Sequence, residues 1–294
     1  MKILVTGANG QLGNEVRILA KQHSDWEFIF SDISRHPDGE PTEFLDITSP
    51  IALEGRLDAI INCAAYTNVD AAEDNEELAY KLNATAAGNL AQLAKSKGAT
   101  LIHISTDYVF DGEKNVPYVE EDVPIPSSTY GKTKLEAERL IIYSDINAIV
   151  IRTAWLYSTY GKNYVKSMIK YGNERDEMNI VFDQVGTPTY ARDLADTILK
   201  IIPQLQKMEK PYREIFHFTN DGVCSWYDFT KHIYNHEGIK CKVNPIRTSD
   251  YPTPAQRPAY SVLDKSKIKK TFGIDIPYWT DSLDAMLNKL NSKQ

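Results

Sequence analysis

Short apolar runs rich in β-branched residues recur through the first half of the chain, at residues 3–6, 28–31, 59–63, 101–105 and 148–152. Between them, residues 10–22 and 78–97 carry apolar side chains at helical spacing, with Leu78, Leu82, Leu90 and Leu93 on roughly one face. Strands that alternate with amphipathic helices form βαβ units, so the pattern predicts an α/β fold with a doubly wound parallel sheet. Gly98 follows the second helical run where a left-handed C-cap belongs. After Trp155 the rhythm changes to longer, Tyr-rich segments broken by proline, such as Tyr251-Pro-Thr-Pro254 and Arg257-Pro258. This change marks a smaller second lobe. Residues 191–202 repeat the helical spacing and 215–219 the strand pattern, so the chain is expected to return to the sheet before leaving it again. Near the C-terminus, Leu283, Met286, Leu287 and Leu290 predict a packing helix. No repeat or low-complexity tract interrupts the chain.

The first strand runs into Thr6-Gly7-Ala8-Asn9-Gly10-Gln11-Leu12-Gly13 and then opens a helix. Glycines at Gly7, Gly10 and Gly13 allow a tight turn and close approach to a diphosphate, which the helix N-terminus attracts. The spacing, G-x-x-G-x-x-G, differs from the G-x-G-x-x-G fingerprint, and a glycine turn without ligand has the same appearance. Asp32 ends the second strand about 20 residues later, where a carboxylate takes the ribose hydroxyls of a dinucleotide. That carboxylate repels a 2′-phosphate, and Arg35 nearby offsets the repulsion, so NADH and NADPH both stay open. Asp46-Ile47 follows the presumed third strand and reads as an adenine edge or as exposed loop. Ala64 and Ala65 follow the fourth strand, where small side chains let a dinucleotide lie on the sheet edge. The expected division is therefore 1–155 plus about 191–219 for the dinucleotide, and about 156–190 with 220–294 for a substrate lobe.

Length and composition fit this picture. The chain has 294 residues, 42% of them hydrophobic and 25% charged, as in an ordinary soluble enzyme. A net charge of -7 argues against nucleic acid as the main partner. Three cysteines without C-x-x-C spacing suggest neither a disulfide framework nor a zinc site, and point to a reducing cytoplasm. No leader pattern and no apolar run of roughly 20 residues is present, so neither export nor a membrane partner is expected.

The fifth strand ends in Ser105-Thr106-Asp107, and a helix begins near Ser127-Ser128-Thr129-Tyr130. Tyr130 and Lys134 are four residues apart and share one helix face. A phenol with a pKa near 10 is a poor proton donor at neutrality, and an adjacent ammonium is expected to lower it. Thr106 adds a hydroxyl for a carbonyl oxygen that gains negative charge. Alone, a Tyr/Lys pair is a common surface pattern; behind a glycine turn and a Ser-Thr strand end it describes carbonyl reduction. The six histidines, including His103 and His217 in or beside strands, read as packing or surface residues.

Taken together, the glycine turn, Ser105-Thr106 and Tyr130-x-x-x-Lys134 resemble the extended short-chain dehydrogenase/reductase superfamily. Further blocks narrow the resemblance to the dTDP-4-dehydrorhamnose reductase family: residues 64–70, Ser105-Thr-Asp-Tyr-Val-Phe110, Tyr130-Gly-Lys-Thr-Lys-Leu-Glu136, Arg152-Thr-Ala-Trp155, Asp183-Gln184-x-Gly186-x-Pro188-Thr189 and Arg257-Pro258. The resemblance implies reduction of the C4 keto group of dTDP-6-deoxy-L-lyxo-4-hexulose to dTDP-L-rhamnose by NADH or NADPH, with Tyr130 as proton donor, Thr106 orienting the oxygen and Lys134 supporting both tyrosine and cofactor. It carries Gly10, Gln11, Leu12, Asp32, Asp46, Ile47, Ala65, Tyr66 and Thr67 over as cofactor contacts, and Thr106, Asp107 and Trp155 as contacts to the dTDP-linked 4-keto-6-deoxy sugar. Thr67 is also expected near the sugar. Trp155, which ends a strand near the lobe junction, also reads as a core aromatic, though the cleft reading is preferred. Arg257 reads as a diphosphate clamp or as a surface ion pair. Tyr66 and Asn68 stand where many relatives have His and Ala. Some relatives use a cation at a dimer contact, so a homodimer is one expected assembly; no carboxylate cluster with ligand spacing stands out, and no metal is expected. Nucleotide-sugar epimerases and dehydratases, and non-catalytic dinucleotide-binding subunits, share the fold and are the rival readings.

Overall fold

The computed structural model describes residues 1–292. Seven strands form one parallel sheet: β1 (Lys2–Thr6), β2 (Glu27–Asp32), β3 (Glu43–Phe44), β4 (Ala59–Asn62), β5 (Thr100–Thr106), β6 (Asn147–Thr153) and β11 (Arg213–His217). Their order across the sheet is β11-β6-β5-β4-β1-β2-β3. The chain winds outward from β1 through β2 to β3 and restarts at β4, on the other side of β1, in the opposite direction, which is the doubly wound fold the alternation predicts. Between β1 and β4 the winding reverses, and neighbouring loops diverge there to open a crevice at the strands' C-terminal ends.

Helices cover both faces because the central strands are apolar on both sides. On one face α1 (Gln11–Ala20) and α7 (Ala191–Leu205) bury Leu12, Val16, Leu194 and Ile198 against Ile3, Val5 and Ile61. On the other, α4 (Ala86–Lys97) and α5 (Thr129–Ile142) bury Leu90, Leu93 and Ile141 against Leu4, Ile60 and Leu101. The expected helix over 78–97 is in fact three pieces: α3 (Glu76–Tyr80), a π-helical turn over Lys81–Thr85, and α4. The wider π turn rotates the face that follows it, so Leu78 is exposed while Leu90 and Leu93 are buried. The Gly98 cap has the expected left-handed backbone, φ +63°.

The remaining elements are α2 (Val69–Asp74), α6 (Tyr164–Glu174), α8 (Trp226–Glu237), α9 (Ser266–Phe272), α10 (Trp279–Asn291), and the strands β7 (Leu156–Tyr157), β8 (Glu177–Val181), β9 (Val185–Gly186), β10 (Thr189–Tyr190), β12 (Cys224–Ser225) and β13 (Lys242–Ile246). These short strands pair two by two, β7 with β10, β9 with β12 and β8 with β13. All but β9 share a separate apolar cluster with α6, α8 and α10, which includes Tyr157, Val165, Phe229, Ile233 and Leu283. The loop after β7 is tied to α1: the Ser158 hydroxyl donates to Glu15 at 2.6 Å and Asn163 Nδ2 donates to Gln11 Oε1 at 3.0 Å. No helix among the described residues is long and apolar enough to cross a membrane.

Candidate active site

A cleft of about 700 Å³ opens at the strand ends where the winding reverses. Its floor is the turn after β1. Gly7 adopts φ +64°, and a Cβ there would lie 2.6 Å from the Ala64 backbone, so only glycine lets the turn rest against the end of β4. Gly10 enters α1 with no side-chain cap, and the first turn of that helix holds no carboxylate. Its free amides and dipole therefore face the cleft beside Gly10, Gln11 and Leu12 and suit a diphosphate. Gly13 does not reach the cleft: a Cβ there would lie 2.5 Å from both Ala8 Cα and Gly7 O, so it permits the turn to pack on α1.

Asp32, Asp46, Ile47, Ala64, Ala65 and Thr67 also line the cleft. Asp32 Oδ2 accepts from the Asn9 amide at 3.1 Å, which fixes the carboxylate at the end of β2. Asp46 is exposed and closes a local turn by accepting from Thr48 N and Oγ1. Tyr66 does not line the cleft; its backbone is gripped by Asn83, and its ring packs in a cluster with Tyr130 and Ala79.

Thr106, Asp107, Tyr130, Lys134, Trp155 and Arg257 meet on the same cleft. Ser128 caps α5 by accepting from the Gly131 amide at 3.1 Å, which sets the helix start and hence the direction of Tyr130. Thr106 Oγ1 donates to Asp107 Oδ1 at 2.9 Å, while Asp107 Oδ2 is buried without a hydrogen-bond partner. Burial pushes the Asp107 carboxyl up to about 6, against the pull of the Ser261 and Thr106 hydroxyls. Trp155 has φ +48°, rare for a bulky residue, and its indole stacks on Trp226 at 3.6 Å. Arg257 donates to Asp70 at 2.7 Å, so it makes the ion pair and faces the cleft at once, with Nε left unpartnered.

The proton chemistry differs from the sequence expectation in one respect. Burial, with the Asp107 charge, raises the Tyr130 phenol to about 12 against the Thr106 hydroxyl, so the lowering expected from Lys134 does not prevail. Lys134 instead donates to the Ile104 carbonyl and sits 3.3 Å from His103 Nε2; burial lowers it to about 8. The phenol is thereby kept in its proton-bearing form. Sequence reasoning missed Tyr108, Leu82, Thr153, Lys162, Asn163 and Trp226, all of which line the cleft. Tyr108 and Thr153 carried a signal, as neighbours of Asp107 and Trp155 in the family-specific blocks, and Leu82 reads only as part of a helix face; Lys162, Asn163 and Trp226 arrive from distant elements.

Parallel strands with a glycine turn, an uncapped helix N-terminus and a Thr/Tyr/Lys group on one cleft define a nicotinamide-dependent oxidoreductase of the extended short-chain dehydrogenase/reductase type. The family model for the RmlD substrate binding domain matches residues 1–292. A dTDP-4-dehydrorhamnose reductase of Aggregatibacter actinomycetemcomitans is 38% identical, with 96% of this chain and 97% of that protein covered. Among solved structures, the dTDP-4-dehydrorhamnose reductase of Clostridium acetobutylicum matches with a TM-score of 0.90 and 44% identity, over 99% of this chain and 100% of that one. The Bacillus anthracis enzyme, in complex with NADP, matches with a TM-score of 0.88 and 36% identity, over 98% and 99%. The chain belongs to the dTDP-4-dehydrorhamnose reductase family.

Proposed function

We propose that this chain reduces the C4 keto group of dTDP-6-deoxy-L-lyxo-4-hexulose to give dTDP-L-rhamnose, with Tyr130 as the proton donor. The observation that carries the proposal is the meeting of Thr106, Tyr130 and Lys134 with Asp107 and Trp155 on the cleft that also holds the glycine turn. A reduced nicotinamide dinucleotide, when bound in the cleft, would supply the hydride. Gly10, Gln11 and Leu12 would hold its diphosphate, Asp32 its adenosine ribose, and Ala64, Ala65 and Thr67 its path across the strand ends.

The rest is the work of the chain's own side chains. Tyr130, protonated because it is buried, gives its proton to the C4 oxygen as charge develops there. Thr106 would orient that oxygen by turning its one hydroxyl hydrogen to it from Asp107. Asp107, with one buried oxygen unpartnered, suits a sugar hydroxyl donor. Trp155 and Trp226 offer an indole wall, and Arg257 a fork of donors for the sugar nucleotide's diphosphate. In this reading residues 1–155 with 191–219 carry the cofactor, and 156–190 with 220–294 carry the sugar nucleotide.

The test is direct. Purified protein is mixed with the dTDP-4-keto-6-deoxy sugar made by the preceding epimerase and with NADH or NADPH in turn. Loss of nicotinamide absorbance matched by dTDP-L-rhamnose supports the proposal; absence of that product refutes it. Tyr130→Phe is expected to abolish nearly all turnover while cofactor affinity stays within about threefold. Retained turnover would remove Tyr130 from the mechanism.

A further inference from the structure

His103 lies within β5 and is 1% exposed, yet both of its ring nitrogens face polar atoms. Nδ1 is 2.9 Å from Asn62 Nδ2, and Nε2 is 3.3 Å from Lys134 Nζ. Which nitrogen bears the proton is fixed one residue away, at Asn62. The Ala64 backbone amide donates to Asn62 Oδ1 at 3.1 Å, and the Thr6 hydroxyl donates to the same oxygen at 2.7 Å. A backbone N–H is a donor only, so the amide oxygen must face it and the amide nitrogen must face His103. Nδ1 therefore accepts, and the neutral ring carries its hydrogen on Nε2. An imidazolium would set Nδ1–H against the Asn62 N–H; burial beside Lys134 also drives the ring's pKa well below its ordinary value.

The Nε2–H bond thus points at the nitrogen of Lys134. An ammonium has three hydrogens and no lone pair, so it would face that N–H donor to donor. An amine has two hydrogens and one lone pair: it accepts from His103 and donates to the Ile104 carbonyl, 2.5 Å away. We infer that His103 is a positioning residue that donates Nε2–H to Lys134 and favours its amine form over its ammonium. The inference deepens the reading of Lys134 as part of the reacting group and rests on it for its role in turnover.

Tyr130 and Glu138 share the helix of Lys134, Asp107 and Tyr108 line the same cleft, and Arg152 of β6 pairs with Glu138. Glu138 favours the ammonium. Its carboxylate, however, already accepts from Ser105 Oγ at 2.5 Å and from Arg152 Nε and a terminal guanidinium nitrogen at 2.9 and 2.7 Å. His103 and burial act together against that residual attraction, and Lys134 is brought to exchange its proton near neutrality instead of several units above it.

Two measurements test the inference in the full chain. With 15N-labelled histidine, the His103 ring is expected to show a protonated Nε2 and an unprotonated Nδ1, unchanged from about pH 6 to 9. An Nδ1–H tautomer, or titration in that range, overturns the inference and leaves the sugar reduction untouched. The second measurement follows NADPH affinity against pH. In His103→Leu the Lys134 transition is expected to move up by about one unit, a tenfold change in proton affinity. His103→Gln, which keeps an N–H donor at the Nε2 position, is expected to move it less. An unmoved transition in a folded Leu variant, or an equal move in both, refutes the role of the donor; should the Leu variant fail to fold, the tautomer decides.

Discussion

Asp107 shows how one residue joins stability to chemistry. Its carboxyl is 2% exposed, and one oxygen has no partner. Because burial raises its pKa to about 6 from an unfolded value of about 3.9, the folded state holds the proton more tightly. The sign follows: between pH 4 and 6 the native state binds more protons, so this group's contribution falls as pH rises and is unfavourable above about 6. Asp107→Asn is expected to raise stability at pH 7 by about 2 kcal/mol, with the difference from the parent vanishing near pH 4 in denaturant titrations, and to weaken sugar-nucleotide use. An equal gain at both pH values would show that the charge is not responsible. Sequence made Tyr130, Lys134 and Thr106 legible, because fixed spacing on a helix and a strand end put them together. It could not show the direction of the Tyr130 shift, since that depends on how deeply the phenol is buried, nor the partners of His103, which come from β4 and α5.

At the scale of elements, α5 is fastened to the sheet beneath the reacting group. Glu138, one turn beyond Lys134, binds Ser105 at the end of β5 and Arg152 near the end of β6, and Arg152 also lies 3.4 Å from His217 Nε2 on β11. Both charges are 2% exposed. Removing one partner of a buried pair leaves the other uncompensated. Glu138→Gln is therefore expected to lower unfolding stability by about 3 kcal/mol in urea melts, and to reduce kcat more than it raises KM. A loss below about 1 kcal/mol would mean that the arginine finds other partners. The strands and most helices were legible from periodicity. The π turn was not, because its cause is tertiary: buried Asn83 accepts from Tyr66 N and donates to Tyr66 O and Thr133 Oγ1, pinning the loop after β4. Periodicity within one segment carries no record of that demand.

For the whole molecule, a long-range tie borders the cleft. Asp70 on α2 binds Arg257 across 187 positions of sequence and also accepts from the Ala255 amide at 3.3 Å. Both side chains of the ion pair are about one-third exposed, so Asp70→Asn is expected to change stability by less than about 1 kcal/mol. Its effect should appear in the KM for the sugar nucleotide, which rises several-fold as Arg257 loses its direction; an unchanged KM would return the pair to a surface role. The return of the chain to the sheet was readable from the helix at 191 and the strand near 215. The fastening of the 158–163 loop onto α1 was not, because nothing in the spacing of Asn163 points to Gln11. The stacked indoles of Trp155 and Trp226, tilted by only 12°, have an optical consequence. Two such chromophores in contact couple their electronic transitions, so the circular dichroism of this protein should carry a couplet in the strong far-ultraviolet indole band that either tryptophan substitution removes. A ligand that parts the rings should extinguish it, which gives the cleft a built-in signal of occupancy that needs no turnover.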